Sequence, residues 1–250
     1  MRELTDLADL TAVCRLFQHV WRTDPTSPLV TTELLRALTK AGNYLAGAFD
    51  GDRLVGACVG FFGAPAEGVL HSHIAGVDPA AAGRSVGYAL KLHQRAWTLR
   101  RGIGAIAWTF DPLVARNAYF NVVKLGATAA EYLPNFYGGM RDGVNSGDDT
   151  DRLLVHWDLT RKPTRPGPGP AAVALGRTPD DRPVRGESHK ETVSVAVPPD
   201  IEALRAADPG RAKEWRVAVR EVLGGLLADG AAIAGFDRTG GYVLTRRETR

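Results

Sequence analysis

The chain has 250 residues, 44% of them hydrophobic and 24% charged. That is enough apolar material for one substantial core, or one core with a satellite, and it excludes a disordered chain. With 31 basic and 28 acidic residues the formal charge of +3 is close to balance, which argues against nucleic acid as a partner. The apolar runs break at Gly, Asp, Arg or Lys short of the roughly 18 residues that span a bilayer, and the N-terminus carries charges in place of an apolar signal core. A cytoplasmic protein without a membrane partner is therefore expected. Two cysteines, Cys14 and Cys58, are too few for a disulfide framework and match no metal-ligand spacing; both are expected buried and reduced, and no metal is expected. The basic clusters at 161–165 and 246–250 lack interleaved aromatics and read as solvated linker and tail.

In chain order, residues 5–22 predict an amphipathic helix, with Leu7, Leu10, Val13, Leu16, Phe17 and Val20 at helical spacing. A second helix is expected at 32–40. Strands at 44–49 and 53–62 flank the tight turn Asp50-Gly51-Asp52, and a third strand runs from 68 to 77. The period then changes to that of a helix, with Val86, Leu90, His93 and Trp97 on one face and Gly102 beyond its end. A short apolar run at 103–110, between Gly102 and Pro112, predicts a buried strand, followed by a helix at 113–124 and strands at 127–134 and 152–159. Prolines 163, 166, 168, 170, 179 and 183 scattered among Gly and Arg give 161–190 the composition of a linker. Beyond it, a strand at 193–197, a helix at 209–228 started by Asp208 and Pro209, and a hairpin at 231–236 and 242–245 predict a small α/β lobe at 191–250. About 60 residues bury little surface alone, so the lobe is expected to dock on the first domain.

The segment Val77-Asp-Pro-Ala-Ala-Ala-Gly83-Arg84-Ser85-Val86-Gly87-Tyr88 joins the end of a strand to the start of a helix through small residues. The first amides of a helix have no partners inside it and can cradle a pyrophosphate. Gly83 and Gly87 permit close approach, while Arg84 and Ser85 offer a charge and a hydroxyl donor.

The order of elements over residues 1–160 resembles the GNAT superfamily of N-acyltransferases. The loop is similar to the family's Gln/Arg-x-x-Gly-x-Gly/Ala signature, whose positions are Ala82, Ser85 and Gly87 here, the last fitting the strict pattern. Asn117-Ala-Tyr-Phe-Asn121-Val-Val-Lys124-Leu125-Gly126 resembles the family's second signature. Trp108-Thr-Phe-Asp111-Pro112, Tyr132-Leu-Pro-Asn135-Phe-Tyr137, Asp151-Arg152-Leu and Trp157-Asp158-Leu look like a subgroup of predicted members with a C-terminal extension.

The resemblance implies an α/β (α+β) fold with a mixed, mostly antiparallel central sheet flanked by helices, covering 1–160. It implies an enzyme that moves an acetyl or related acyl group, such as succinyl, from acyl-CoA to the amine of a small molecule or amino acid, by direct transfer in a ternary complex. A non-catalytic acyl-CoA-binding or regulatory protein is the alternative; as to assembly, a monomer or a homodimer is expected. Acetyl-CoA or another acyl-CoA is expected against the backbone of Ile74, Ala75, Gly76 and Val77 and the loop Ala82, Gly83, Arg84, Ser85, Val86, Gly87 and Tyr88, with Asn117 on the pantetheine arm. The family's acid is often a tyrosine on the later helix, where Val122 stands here and Tyr119 lies one turn earlier. His71 and His73 share a strand face and have the proton affinity for a base near neutral pH; Asp111, at a strand's end, is a further candidate, with helix capping as its plainer reading, and Glu131 is a weaker one. Tyr132, Asn135 and Tyr137 are expected on the acceptor side.

Overall fold

The computed structural model describes residues 1–24, 26–140, 143, 147–161, 171–237 and 239–246. Most of the two basic clusters and prolines 163, 166, 168 and 170 thus lie outside the described residues.

Two compact units emerge, and their boundary runs between Trp108 and Thr109. The first holds Met1–Trp108 with short returns at Asp142–Val144 and Asp158–Arg161; the second holds Thr109–Arg141, Asn145–Trp157 and Lys162–Arg250. The expected division at residue 160 is therefore not where compactness divides the chain.

In the first unit, β1 (Arg2–Glu3), β2 (Tyr44–Asp50), β3 (Arg53–Phe62) and β4 (Val69–Val77) form an antiparallel succession. Helix α1 (Leu7–Trp21) is started by Asp6, whose carboxylate accepts the Ala8 amide, and α2 (Thr32–Lys40) by Thr31, whose hydroxyl accepts the Leu34 amide. Their buried residues Leu10, Val13, Leu16, Phe17 and Leu35 share a cluster with Leu45, Ala57 and Val59. The alternate residues of β3 serve the opposite face: a Cβ on Gly56 would meet Val86 and Leu90 of α3 (Val86–Leu99), and one on Gly60 would meet Gln94. The sheet is thus sandwiched, α1 and α2 on one face and α3 on the other, as the period of two requires.

Close approach is required at Gly76 of β4, where an added Cβ would lie 2.7 Å from a ring atom of Trp21 and 3.2 Å from Phe17. Both neighbours are rigid aromatics, so Gly76→Ala is expected to destabilise the protein by about 1–3 kcal/mol through overpacking. A shift of the urea midpoint without a change in slope would show it; an unchanged midpoint would mean that α1 can move away.

In the second unit α4 (Ala115–Ala118) continues through a wide turn at Tyr119–Lys124, with the Leu125 amide bonded to the Phe120 carbonyl. Strands β6 (Thr128–Leu133) and β7 (Arg152–Asp158) pair antiparallel.

The stretch 161–190 is not simply a linker, because β8 (Ala172–Arg177) and β9 (Pro183–Arg185) form inside it. They complete a five-stranded sheet in the order β11-β12-β10-β8-β9 with β10 (Thr192–Ala196), β11 (Ala232–Asp237) and β12 (Gly241–Thr245). Pro183 is tolerated because it opens an edge strand. A helix absent from the sequence reading, α5 (Ile201–Ala207), precedes α6 (Pro209–Val219). The latter passes through a second wide turn, Arg220–Gly224, into α7 (Gly225–Ala228). Along this segment Trp215, Val219, Leu223 and Leu226 are buried, while Val222, which helical spacing from Val219 also allows, is half-buried.

Candidate functional site

The site begins with a change in strand pairing. Parallel pairing of β4 with β5 (Ala105–Phe110) covers Val69↔Ala105, Leu70↔Ile106 and His71↔Ala107 and ends there among the described residues, although both strands continue. From Ser72 onward, β4 therefore presents to that side a backbone edge without its parallel partner, partly exposed at His73 and Ala75, and free for a ligand or water to pair with. The edge includes Ile74, Ala75, Gly76 and Val77.

At the same level β4 carries a bulge. Val59 pairs with Ile74 and Gly60 with Ser72, leaving His73 as the extra residue. His71 and His73 gather around Phe61 of β3, with ring centroids 4.9 and 5.6 Å from it and 6.1 Å from each other. The predicted pair thus comes together on one face. His71 is half-buried and His73 more exposed. Burial lowers the pKa of both below the ordinary histidine value, with neighbouring His73 and Lys91 lowering that of His71 further. The downward shift favours the neutral form of both rings, the form that can accept a proton.

Beyond Val77 the chain turns through Asp78, which accepts the Ala80 amide, and the exposed Ala82 and Gly83, the latter at φ +78°. Ser85 precedes α3 in the left-handed region, at φ 59°, and its side chain caps nothing. The opening amides of α3, at Val86 and Gly87, therefore receive no cap from Ser85. Arg84 is exposed and reaches Asp50 at 2.7 Å. A Cβ on Gly87 would touch only Val77, at 3.7 Å, so the fold itself does not demand glycine there. Exposed left-handed residues, small side chains and uncapped amides are the donor set that a pyrophosphate fits.

On the α3 face, Lys91 is buried, 5% exposed, a feature that the sequence reading missed. Its ammonium donates to Ser72 Oγ at 2.7 Å and to Gln94 Oε1 at 3.3 Å and lies 3.9 Å from the centre of the Trp108 ring. Burial pushes its pKa down to about 8, against a smaller upward pull from Cys58. A lysine between Leu90 and Leu92 in an otherwise apolar turn was the available signal.

Tyr88 is exposed on the first turn of α3, and the remaining predicted residues lie in the second unit. Asp111 accepts the Leu113 amide, as a capping residue does, but its main partners are arginines. Arg216 contacts it at 2.9 Å and Arg205 at 2.6 Å, and both also reach Asp148 at 3.0 Å. All four side chains are at most 8% exposed. Burial would raise the pKa of Asp111, but Arg216 and then Arg205 overcome it and hold the carboxyl well below the usual range. A carboxylate so committed to two cations is a poor proton acceptor.

Tyr132 donates to Asp151 at 2.7 Å, and burial and that carboxylate push its pKa up. Asn135, at φ 43°, gives its amide to Asp151 and accepts from Thr150, so both side chains tie down the loop. Arg220 completes this second network at 2.6 Å from Asp151 and 2.7 Å from Asp149. Tyr137 is exposed beside Phe136 and within 3.0 Å of Thr109 Oγ1. Asn117 and Glu131 are exposed, and Tyr119 is half-buried at the start of the wide turn.

Over 64% of the chain the fold is that of a GNAT-family structure, as comparison with solved structures shows. A protein assigned to the GNAT family from Desulfovibrio desulfuricans superposes with a TM-score of 0.52 at 16% identity, over 64% of this chain and 98% of its own. An N-acetyltransferase from Staphylococcus aureus Mu50 gives 0.52 at 15%, over 64% and 97%. A Salmonella typhimurium protein assigned as an acetyltransferase, solved with its cofactor acetyl-CoA, gives 0.52 at 17%, over 65% and 95%. No protein-family model matches the sequence, and no curated protein matches it significantly. No helix among the described residues is long and apolar enough to cross a membrane.

Proposed function

We propose that the protein is an acyl-CoA-dependent N-acyltransferase that moves an acetyl group directly to the amine of a small molecule or amino acid. The observation that carries this reading is the end of the β4–β5 ladder at His71↔Ala107, with the uncapped start of α3 following β4 through a small-residue loop. The amides of Val86 and Gly87 would hold the pyrophosphate of CoA, and the edge of β4 would align its pantetheine arm and polarise the thioester carbonyl. CoA supplies the activated thioester. His73, neutral and on the bulge, would take the proton from the attacking amine, with His71 behind it. Asp111 and Asn135 are left as structural residues.

Calorimetric titration with acetyl-CoA and CoA tests the reading. Wild type is expected to bind both, and Gly87→Trp to lose binding at least a hundredfold by filling the cradle, while keeping its melting temperature, since the Cβ meets only Val77 at 3.7 Å. Wild type that binds neither ligand would end the proposal. Binding without thiol release across an amine panel would favour a regulatory acyl-CoA sensor, the reading that Val122 at the tyrosine position favours.

A further inference from the structure

Lys91 stands out as a buried cation of the first unit that reaches no carboxylate among the described residues. The groups that face it are Cys58 of β3, Ser72 and His71 of β4, Gln94 of α3 itself and Trp108 of β5. Keeping an ammonium in such a place costs folding energy, which its hydrogen bonds and the aromatic face only partly offset. Its position relative to the opening of the sheet suggests a use. Ser72 and Trp108 are the residues that immediately follow the last ladder pair, His71↔Ala107, so Lys91 sits at the point where the two strands part. Ser72 Oγ accepts from Lys91 at 2.7 Å and lies 3.8 Å from Cys58 Sγ, a long and weak contact, so its own hydrogen can turn to a better acceptor.

We propose that Ser72 and Lys91 form a proton-delivery pair for the thiolate that leaves the acyl donor, Ser72 donating the proton and Lys91 resupplying it. The inference rests on the acyltransferase reading above. The balance is complete: the acceptor nitrogen bonds to the carbonyl carbon and passes its proton to the base, the carbon–sulfur bond breaks, and its electron pair stays on sulfur. Sulfur takes the Ser72 proton, Lys91 restores it, and solvent reprotonates the amine after product leaves. Ser72 touches the leaving group; Lys91 acts through it and is a positioning residue. Chemically the pair is well matched, since an amine at about 8 stays mostly charged at pH 7 and lies close to an alkyl thiol, near 8.5.

The test needs no acceptor. Free CoA is titrated from pH 6 to 10 by thiolate absorbance, then again bound to wild type, Lys91→Met and Ser72→Ala. Wild type is expected to lower the pH at which the bound thiol ionises by about one unit or more, and both variants to return it to within a few tenths of the free value. Ser72→Ala leaves the lysine in place, so the inference remains testable if Lys91→Met fails to fold. Equal ionisation in wild type and Ser72→Ala, with CoA bound to both, overturns the inference and leaves the acyltransferase reading standing. Failure of wild type to bind CoA overturns both, and calorimetry distinguishes that case.

Discussion

Asp111→Asn is expected to destabilise the protein by roughly 3–5 kcal/mol, the usual cost of removing one partner from a buried ion pair. In a chain of this size that corresponds to a fall in melting temperature of roughly 6–20 °C, measured by circular dichroism or calorimetry. The size follows from geometry. Arg205 and Arg216 each bridge Asp111 and Asp148, so neutralising Asp111 leaves two buried guanidiniums sharing one carboxylate. The pH dependence has a definite sign. The pKa of Asp111 is depressed in the folded state, so its stabilisation is fully present above the unfolded value of about 3.9 and is lost as pH falls below that toward the folded one. Wild type should therefore lose stability steeply below pH 4, and Asp111→Asn should start lower and fall less. A variant that melts within 2 °C of wild type would mean that Asp148 alone satisfies both arginines.

The second large effect is on catalysis. His73→Gln is expected to lower kcat by about 10²-fold or more, the range of a lost general base, with little change in the affinity for acetyl-CoA measured by calorimetry. Burial lowers the pKa of His73 below the usual 6.5, so the wild-type rate should hold through neutrality and decline only on acidification below about pH 6.5, as the ring takes up a proton. The glutamine variant should lose that acid limb. A rate within threefold of wild type would move the base assignment to His71, which is less exposed and also packs on Phe61.

Most of the first unit was legible because its elements carry local signals: a tight turn between β2 and β3, and helical spacing in α1 and α3. The small-residue loop at Gly83–Gly87 and the nearness of His71 to His73 could be read for the same reason, since each lies within one local stretch. What escaped depended on partners distant in sequence. Asp111 reads locally as a cap, and it does accept the Leu113 amide, but nothing nearby announces two arginines about a hundred residues away. The clues were Arg205 and Arg216 near apolar positions, together with the acidic run Asp148-Asp149-Thr150-Asp151. Strands β8 and β9 were hidden by the prolines around them, and helical spacing from Val219 allows both Val222 and Leu223, so period alone does not choose between them.

The Asp111 cluster also sets a schedule for synthesis. Its partners lie 94 and 105 residues downstream, so at about 5–20 residues per second a ribosome would take roughly 5–20 s to supply them after Asp111 is made. During that interval the carboxylate must stay hydrated, and the second unit cannot close around it. A ribosome stalled after residue 200 would hold a nascent chain in which Asp111 has neither arginine partner.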